Sequence, residues 1–208
     1  MKQNLFLVTL LFLPNMIFGE LFLEITKGSE DPYKIAMISF EGDPRISKQL
    51  NKIMRNDLIR TGEFYILDDE LLLPVNFIND ELVYSDWKLL GMDYLVIGKI
   101  VKLKNSLDIS YEIYDVHKKR KLRSSKVFGI PNQIRQLAHY TSDGIYESIT
   151  GIKGIAATRL LYVNEIKDSK SISAYKLMLA DSDGANEKTL LSSSEPIISP
   201  SWSPDGKK

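Results

Sequence analysis

A chain of 208 residues that is 44% hydrophobic and 26% charged has the balance of an ordinary globular protein, with length for one or two domains and too much apolar character for a disordered one. Lysine and arginine total 27, as do aspartate and glutamate, so no net field points to nucleic acid or to a membrane surface. With no cysteine, the sequence excludes disulfides, thiolate nucleophiles, cysteine-rich zinc sites and a lipid-modified cysteine together.

Residues 1–19 have the pattern of an export signal. Lys2 supplies the positive charge, Leu5 to Leu13 is apolar except for Thr9, and Pro14 breaks the run. Ile17-Phe18-Gly19 offers a cleavage site, which puts the start of the mature chain at Glu20. The apolar run is too short to span a bilayer comfortably and Asn15 follows it, so no membrane insertion is expected after cleavage.

Residues 20–32 form the next unit. Leu21, Leu23 and Ile25 share one face of an extended strand, and Glu20, Phe22, Glu24 and Thr26 share the other. Lys27 and Gly28 close the strand, and Gly28-Ser29-Glu30-Asp31-Pro32 is a flexible break. Alternation alone does not tell whether such a strand pairs with its own domain or with a partner.

Residues 33–150 read as one α+β layer. Tyr33 to Phe40 is an apolar strand. Ile46 to Ile59 puts Ile46, Leu50, Ile53, Met54 and Leu58 on one helical face, and Thr61-Gly62 ends that helix. Phe64 to Leu67 is a strand, and a looser stretch with Pro74 leads to a short helix at Ser85 to Leu90. Tyr94 to Leu103, Leu107 to Val116 and Leu122 to Phe128 are further strands, the second with Leu107, Ile109, Tyr111 and Ile113 on one side. Pro131 opens a helix whose buried stripe is Ile134, Leu137, Ala138, Thr141, Ile145 and Ile149, and Gly151 stops it. The expected domain is a mixed sheet with its two main helices on one face.

From residue 155 to 208 the pattern changes to short strands only: Leu160 to Asn164, Tyr175 to Asp181 and Glu187 to Leu191, with a turn at Asp183-Gly184. Ser199-Pro200-Ser201-Trp202-Ser203-Pro204-Asp205-Gly206 follows, a Trp/Asp/Gly turn of the kind that recurs in propeller blades.

Catalytic motifs are absent. There is no Gly-x-Ser-x-Gly elbow and no His-Glu-x-x-His. The histidines, His117 and His139, are expected to be surface or half-buried, without a cofactor or metal. The basic run His117 to Arg123 is expected to be a solvated hairpin tip. Gly151-Ile152-Lys153-Gly154 matches the loop that clamps RNA in KH domains but lacks a following helix. Asp181-Ser182-Asp183-Gly184 has its glycine too early for an EF-hand, so a hairpin turn is expected.

Three runs carry a family resemblance: Ile149-Thr150-Gly151-Ile152-Lys153-Gly154 followed by Thr158-Arg159-Leu160-Leu161-Tyr162-Val163, then Leu90-Gly91-Met92-Asp93-Tyr94-Leu95-Val96-Ile97-Gly98, and Ser199 to Gly206. Together they resemble the TolB family, over essentially all of the chain beyond residue 19. The resemblance implies an α/β domain followed by a six-bladed β-propeller, of which this sequence carries the first blade or so. It implies a periplasmic, non-enzymatic part of the Tol–Pal system. It also implies that Glu20, Leu21, Phe22, Leu23, Glu24, Ile25, Thr26, Lys27 and Gly28 bind the C-terminal domain of TolA, and that the propeller binds the Pal lipoprotein, for which no residue is assigned here. The alternative is a stand-alone α/β binding or structural module carrying a decayed propeller remnant; the DNA beyond Lys208 separates the two.

Overall fold

The computed structural model describes residues 31–78, 81–167 and 173–204. Strand β1 (Tyr33–Met37) runs parallel to β2 (Phe64–Ile66) on one side and to β5 (Tyr94–Lys102) on the other. Strands β6 (Leu107–Asp115) and β7 (Arg120–Gly129) then extend the sheet antiparallel, giving the order β2-β1-β5-β6-β7. The sheet is mixed, as the pattern predicted. The parallel part needs a crossover, and α1 (Pro44–Arg60) supplies it between β1 and β2.

Helix α1 begins where Asp43 accepts hydrogen bonds from the Arg45 and Ile46 amides, with Pro44 in the first turn. Those amides hold the Asp43 carboxyl below its ordinary value. Leu50, Ile53, Met54 and Leu58 are buried, and Ile46 packs at the edge of the same core. Helix α3 (Ile134–Thr150) follows a short 3-10 turn at Pro131–Gln133 and ends at Gly151, whose φ of 76° is the left-handed conformation a glycine adopts without strain. Its stripe is the expected one: Leu137, Ala138, Thr141 and Ile145 are buried, with Ile134 and Ile149 against them.

The two long helices share one face of the sheet and close the main core with Ile35, Met37, Ile109, Tyr111 and Ile113. The opposite face carries a second, smaller core. Short helix α2 (Tyr84–Leu89) drives Trp87 into it beside Ala36, Leu95, Tyr114 and Val116. The sheet is thus covered partly on both sides. A two-residue hairpin, β3 (Phe77–Ile78) with β4 (Glu81–Leu82), precedes α2. Sequence patterning missed it, because two-residue strands have no period to detect.

Beyond α3, strands β8 (Arg159–Lys167), β9 (Ser173–Asp181) and β10 (Lys188–Ser193) form a separate antiparallel sheet in the order β10-β9-β8. Leu160, Leu191, Ile198 and Trp202 are exposed there. The molecule is an α+β domain followed by a separate three-stranded antiparallel sheet.

Candidate functional site

The expected partner segment, Glu20 to Gly28, lies outside the described residues. The chain is described from Asp31, and β1 is anchored at its head. The Tyr33 amide donates to the Glu63 carbonyl, and the Lys34 amide to Asp93 Oδ2 at 2.8 Å. The Tyr33 ring lies 5.8 Å from Phe64 and 6.0 Å from Tyr94, and Phe64 meets Tyr146 of α3 edge-on at 5.6 Å. Tyr146 lines a cavity of about 430 Å³ between the α+β body and the three-stranded sheet, along with Arg60, Thr61, Ile155, Leu160 and Ser182. A continuous aromatic path therefore joins the N-terminal segment's root to the junction.

The junction is built from polar contacts. Asp143 of α3 accepts from the amides of Ala156 at 2.7 Å and Ala157 at 3.0 Å. Gly154 passes so close that a Cβ there would collide with Asp143. Ser182 Oγ donates to the Ala156 carbonyl at 2.6 Å and accepts from Arg60 Nη2 at 3.2 Å. Arg135 Nε donates to Asp181 at 3.1 Å, and its Nη2 pairs with Asp183. The Asp181-Ser182-Asp183-Gly184 sequence is the expected hairpin turn, and it is pinned by two arginines of the α+β body.

Beneath this lies a buried trio. Asp57 Oδ2 accepts from His139 Nδ1 at 2.7 Å and from Ser142 Oγ at 3.0 Å. All three are buried, which corrects the expectation of a surface or half-buried His139. The helical stripe had marked Ala138 and Thr141, and a histidine between them carries no sequence sign of its partner 82 positions away. Serine, histidine and aspartate converge here, but the hydroxyl bonds the carboxylate rather than the free ring nitrogen, so the three do not form a nucleophile–histidine relay. Asp57, His139 and Asp183 also place one ligand atom each within 4.8 Å of one another. Arg60 pairs with Asp57 and Arg135 with Asp183, so guanidinium groups already balance the charge a cation would need.

His117 is exposed and bonds Asp93 Oδ1 through Nε2 at 2.8 Å. Its basic run is the solvated tip of the β6–β7 hairpin, where Lys118 pairs with Asp115 and Lys121 with Glu112. No helix follows Gly151-Ile152-Lys153-Gly154; β8 does. Among the described residues no helix is long and apolar enough to cross a membrane.

The TolB amino-terminal domain family matches residues 21–122, and the TolB β-propeller domain family matches residues 146–208. The chain is 36% identical to the Tol-Pal system protein TolB of Alcanivorax borkumensis over 91% of its own length and 44% of that relative. It is 33% identical to the Tol-Pal system protein TolB of Hahella chejuensis over 100% of its own length and 49% of the relative. A crystal structure of TolB from Acinetobacter baumannii superposes with a TM-score of 0.76 at 36% identity, over 88% of this chain and 44% of that one. The chain spans about half the length of the curated relatives it matches.

Proposed function

This chain belongs to the TolB family, and from that premise we propose that it is a periplasmic, non-enzymatic binding component of the Tol–Pal system. In this reading residues 1–19 are a cleaved export signal, 20–32 a partner-binding strand with its linker, 33–150 the N-terminal domain, and 155–208 the opening of the propeller. The system's role in this reading is to support outer-membrane integrity and cell division, with residues 20–28 contacting TolA and Pal contacted by the propeller, of which this chain carries the opening strands.

The observation that carries the reading is the alternating sequence Glu20 to Thr26 ahead of the run Gly28-Ser29-Glu30-Asp31-Pro32, on a chain whose relatives are Tol-Pal system proteins. A peptide that adds to a sheet edge gains affinity from main-chain hydrogen bonds and specificity from alternate side chains. Leu21, Leu23 and Ile25 would enter apolar pockets of the TolA C-terminal domain together. Burial of one leucine is worth about 1.5–3 kcal/mol, so Leu23→Asp should weaken binding by about tenfold or more. The test is calorimetry of that domain against the exported chain, the Leu23→Asp variant and a deletion of 20–26, with circular dichroism to confirm folding. Unchanged affinity in both variants would move the site to the α+β surface.

A further inference from the structure

We propose that the outer face of α1 and the groove beside it form a second docking site, one that takes an acidic extended segment of a partner protein. The chain as a whole is neutral, but α1 is not. Between Pro44 and Arg60 it carries Arg45, Lys48, Lys52, Arg55 and Arg60 against one acid, Asp57, and that acid is buried. Spacings of three and four residues bring Arg45, Lys48, Lys52 and Arg55 onto one face. Arg55 is taken up by Asp69 at 3.0 Å and by the Leu67 carbonyl. Lys48 and Lys52 are exposed and make no hydrogen bond or ion pair among the described residues.

These cations stand over a concave feature. A groove of about 740 Å³ runs between α1 and the Ser39–Pro44 segment, with Lys48, Lys52 and Arg55 on its wall and Gly42, Pro44 and Ile59 giving apolar surface. Of its two acids, Asp69 is held by Arg55, which leaves Glu41 against two free lysines. Unpaired like charges on adjacent turns repel, and that repulsion persists unless an anion relieves it. The occupant is a chain with carboxylates at intervals, because a groove with an apolar floor admits a peptide and its side chains. A bilayer would press on the convex ridge and leave the groove empty. The residues that line this groove include none of 20–28.

The experiment uses the full exported chain and a fluorescent acidic 12-residue probe of alternating Glu and Leu, followed by anisotropy at several salt concentrations. Binding that weakens with salt is expected, and Lys48→Glu/Lys52→Glu should lower affinity by about tenfold or more. Lys119→Glu/Arg120→Glu, which alters the basic hairpin tip instead, should bind like the parent. Circular dichroism checks that each variant folds. Three results would overturn the proposal: no binding of the probe, equal binding by the Lys48/Lys52 variant, or pelleting with anionic vesicles that depends on Lys48 and Lys52 while the probe is ignored.

Discussion

At the scale of single residues, two carboxylates at the β6–β7 hairpin show how local contacts set pH response. Burial alone would raise Glu112, but hydrogen bonds from Lys121 at 2.6 Å and Tyr114 at 2.5 Å hold it below its ordinary value of 4.5. Burial likewise opposes Asp115, and the Lys118 amide and ammonium hold it below 3.8. Each group binds a proton more weakly folded than unfolded. Its stabilising effect is therefore fully present above the ordinary value and is lost as pH falls through the lowered one. The expected outcome is that a Lys118→Met/Lys121→Met variant loses less melting temperature than the parent between about pH 5 and about pH 3. Equal losses would contradict it.

Gly154 gives a second test at this scale. Alanine there would push on Asp143, which holds the Ala156 and Ala157 amides. Overpacking of this kind costs about 1–3 kcal/mol. Gly154→Ala should lower the melting temperature and speed hydrogen exchange at those two amides. Unchanged exchange would mean that the linker is not held by Asp143.

Among the elements, legibility followed periodicity. Helices α1 and α3 were visible because Leu50, Met54 and Leu58, and Leu137, Thr141 and Ile145, repeat at helical spacing and are the residues buried. Strand β6 alternated, and Leu107, Ile109, Tyr111 and Ile113 do face the core. Strand β1 ends earlier than its apolar run, since after Met37 the chain continues along β5 through the Ile38 and Glu41 amides without a regular ladder. The β3–β4 hairpin and the Asp57–His139–Ser142 trio were not legible. The first is too short to have a period, and the second joins helices whose sequences say nothing of each other. The trio predicts its own strength: without Asp57, the buried His139 Nδ1 and Ser142 Oγ lose their shared acceptor, and a buried polar group left unsatisfied costs about 1–3 kcal/mol. Asp57→Ala should therefore destabilise the α1–α3 pair far more than Arg60→Ala, which removes a half-exposed partner, as chemical denaturation would show. Equal effects would mean that the buried trio contributes little.

For the whole molecule, the two sheets differ in how they are held. The five-stranded sheet has a core on each face, whereas the three-stranded one exposes Leu160, Leu190 and Leu191 and meets the rest through arginines and a glycine-rich linker. Blades gain stability by packing on neighbours. In the 208-residue chain, limited proteolysis should cut within 155–204 first and leave 33–150 intact, and Pal capture by this chain alone should be immeasurable. A protease-resistant C-terminal third, or Pal bound by the purified chain, would contradict this.

We propose that residues 20–28 suffice for the TolA contact as well as being needed for it. A synthetic peptide of residues 20–32, titrated into the TolA C-terminal domain by calorimetry beside the exported chain, tests it directly. The expected result is one-to-one binding with an affinity within about tenfold of the exported chain, because a strand that adds to a partner's edge carries its own contacts. A silent peptide, together with undiminished binding by a chain that lacks 20–28, would contradict it.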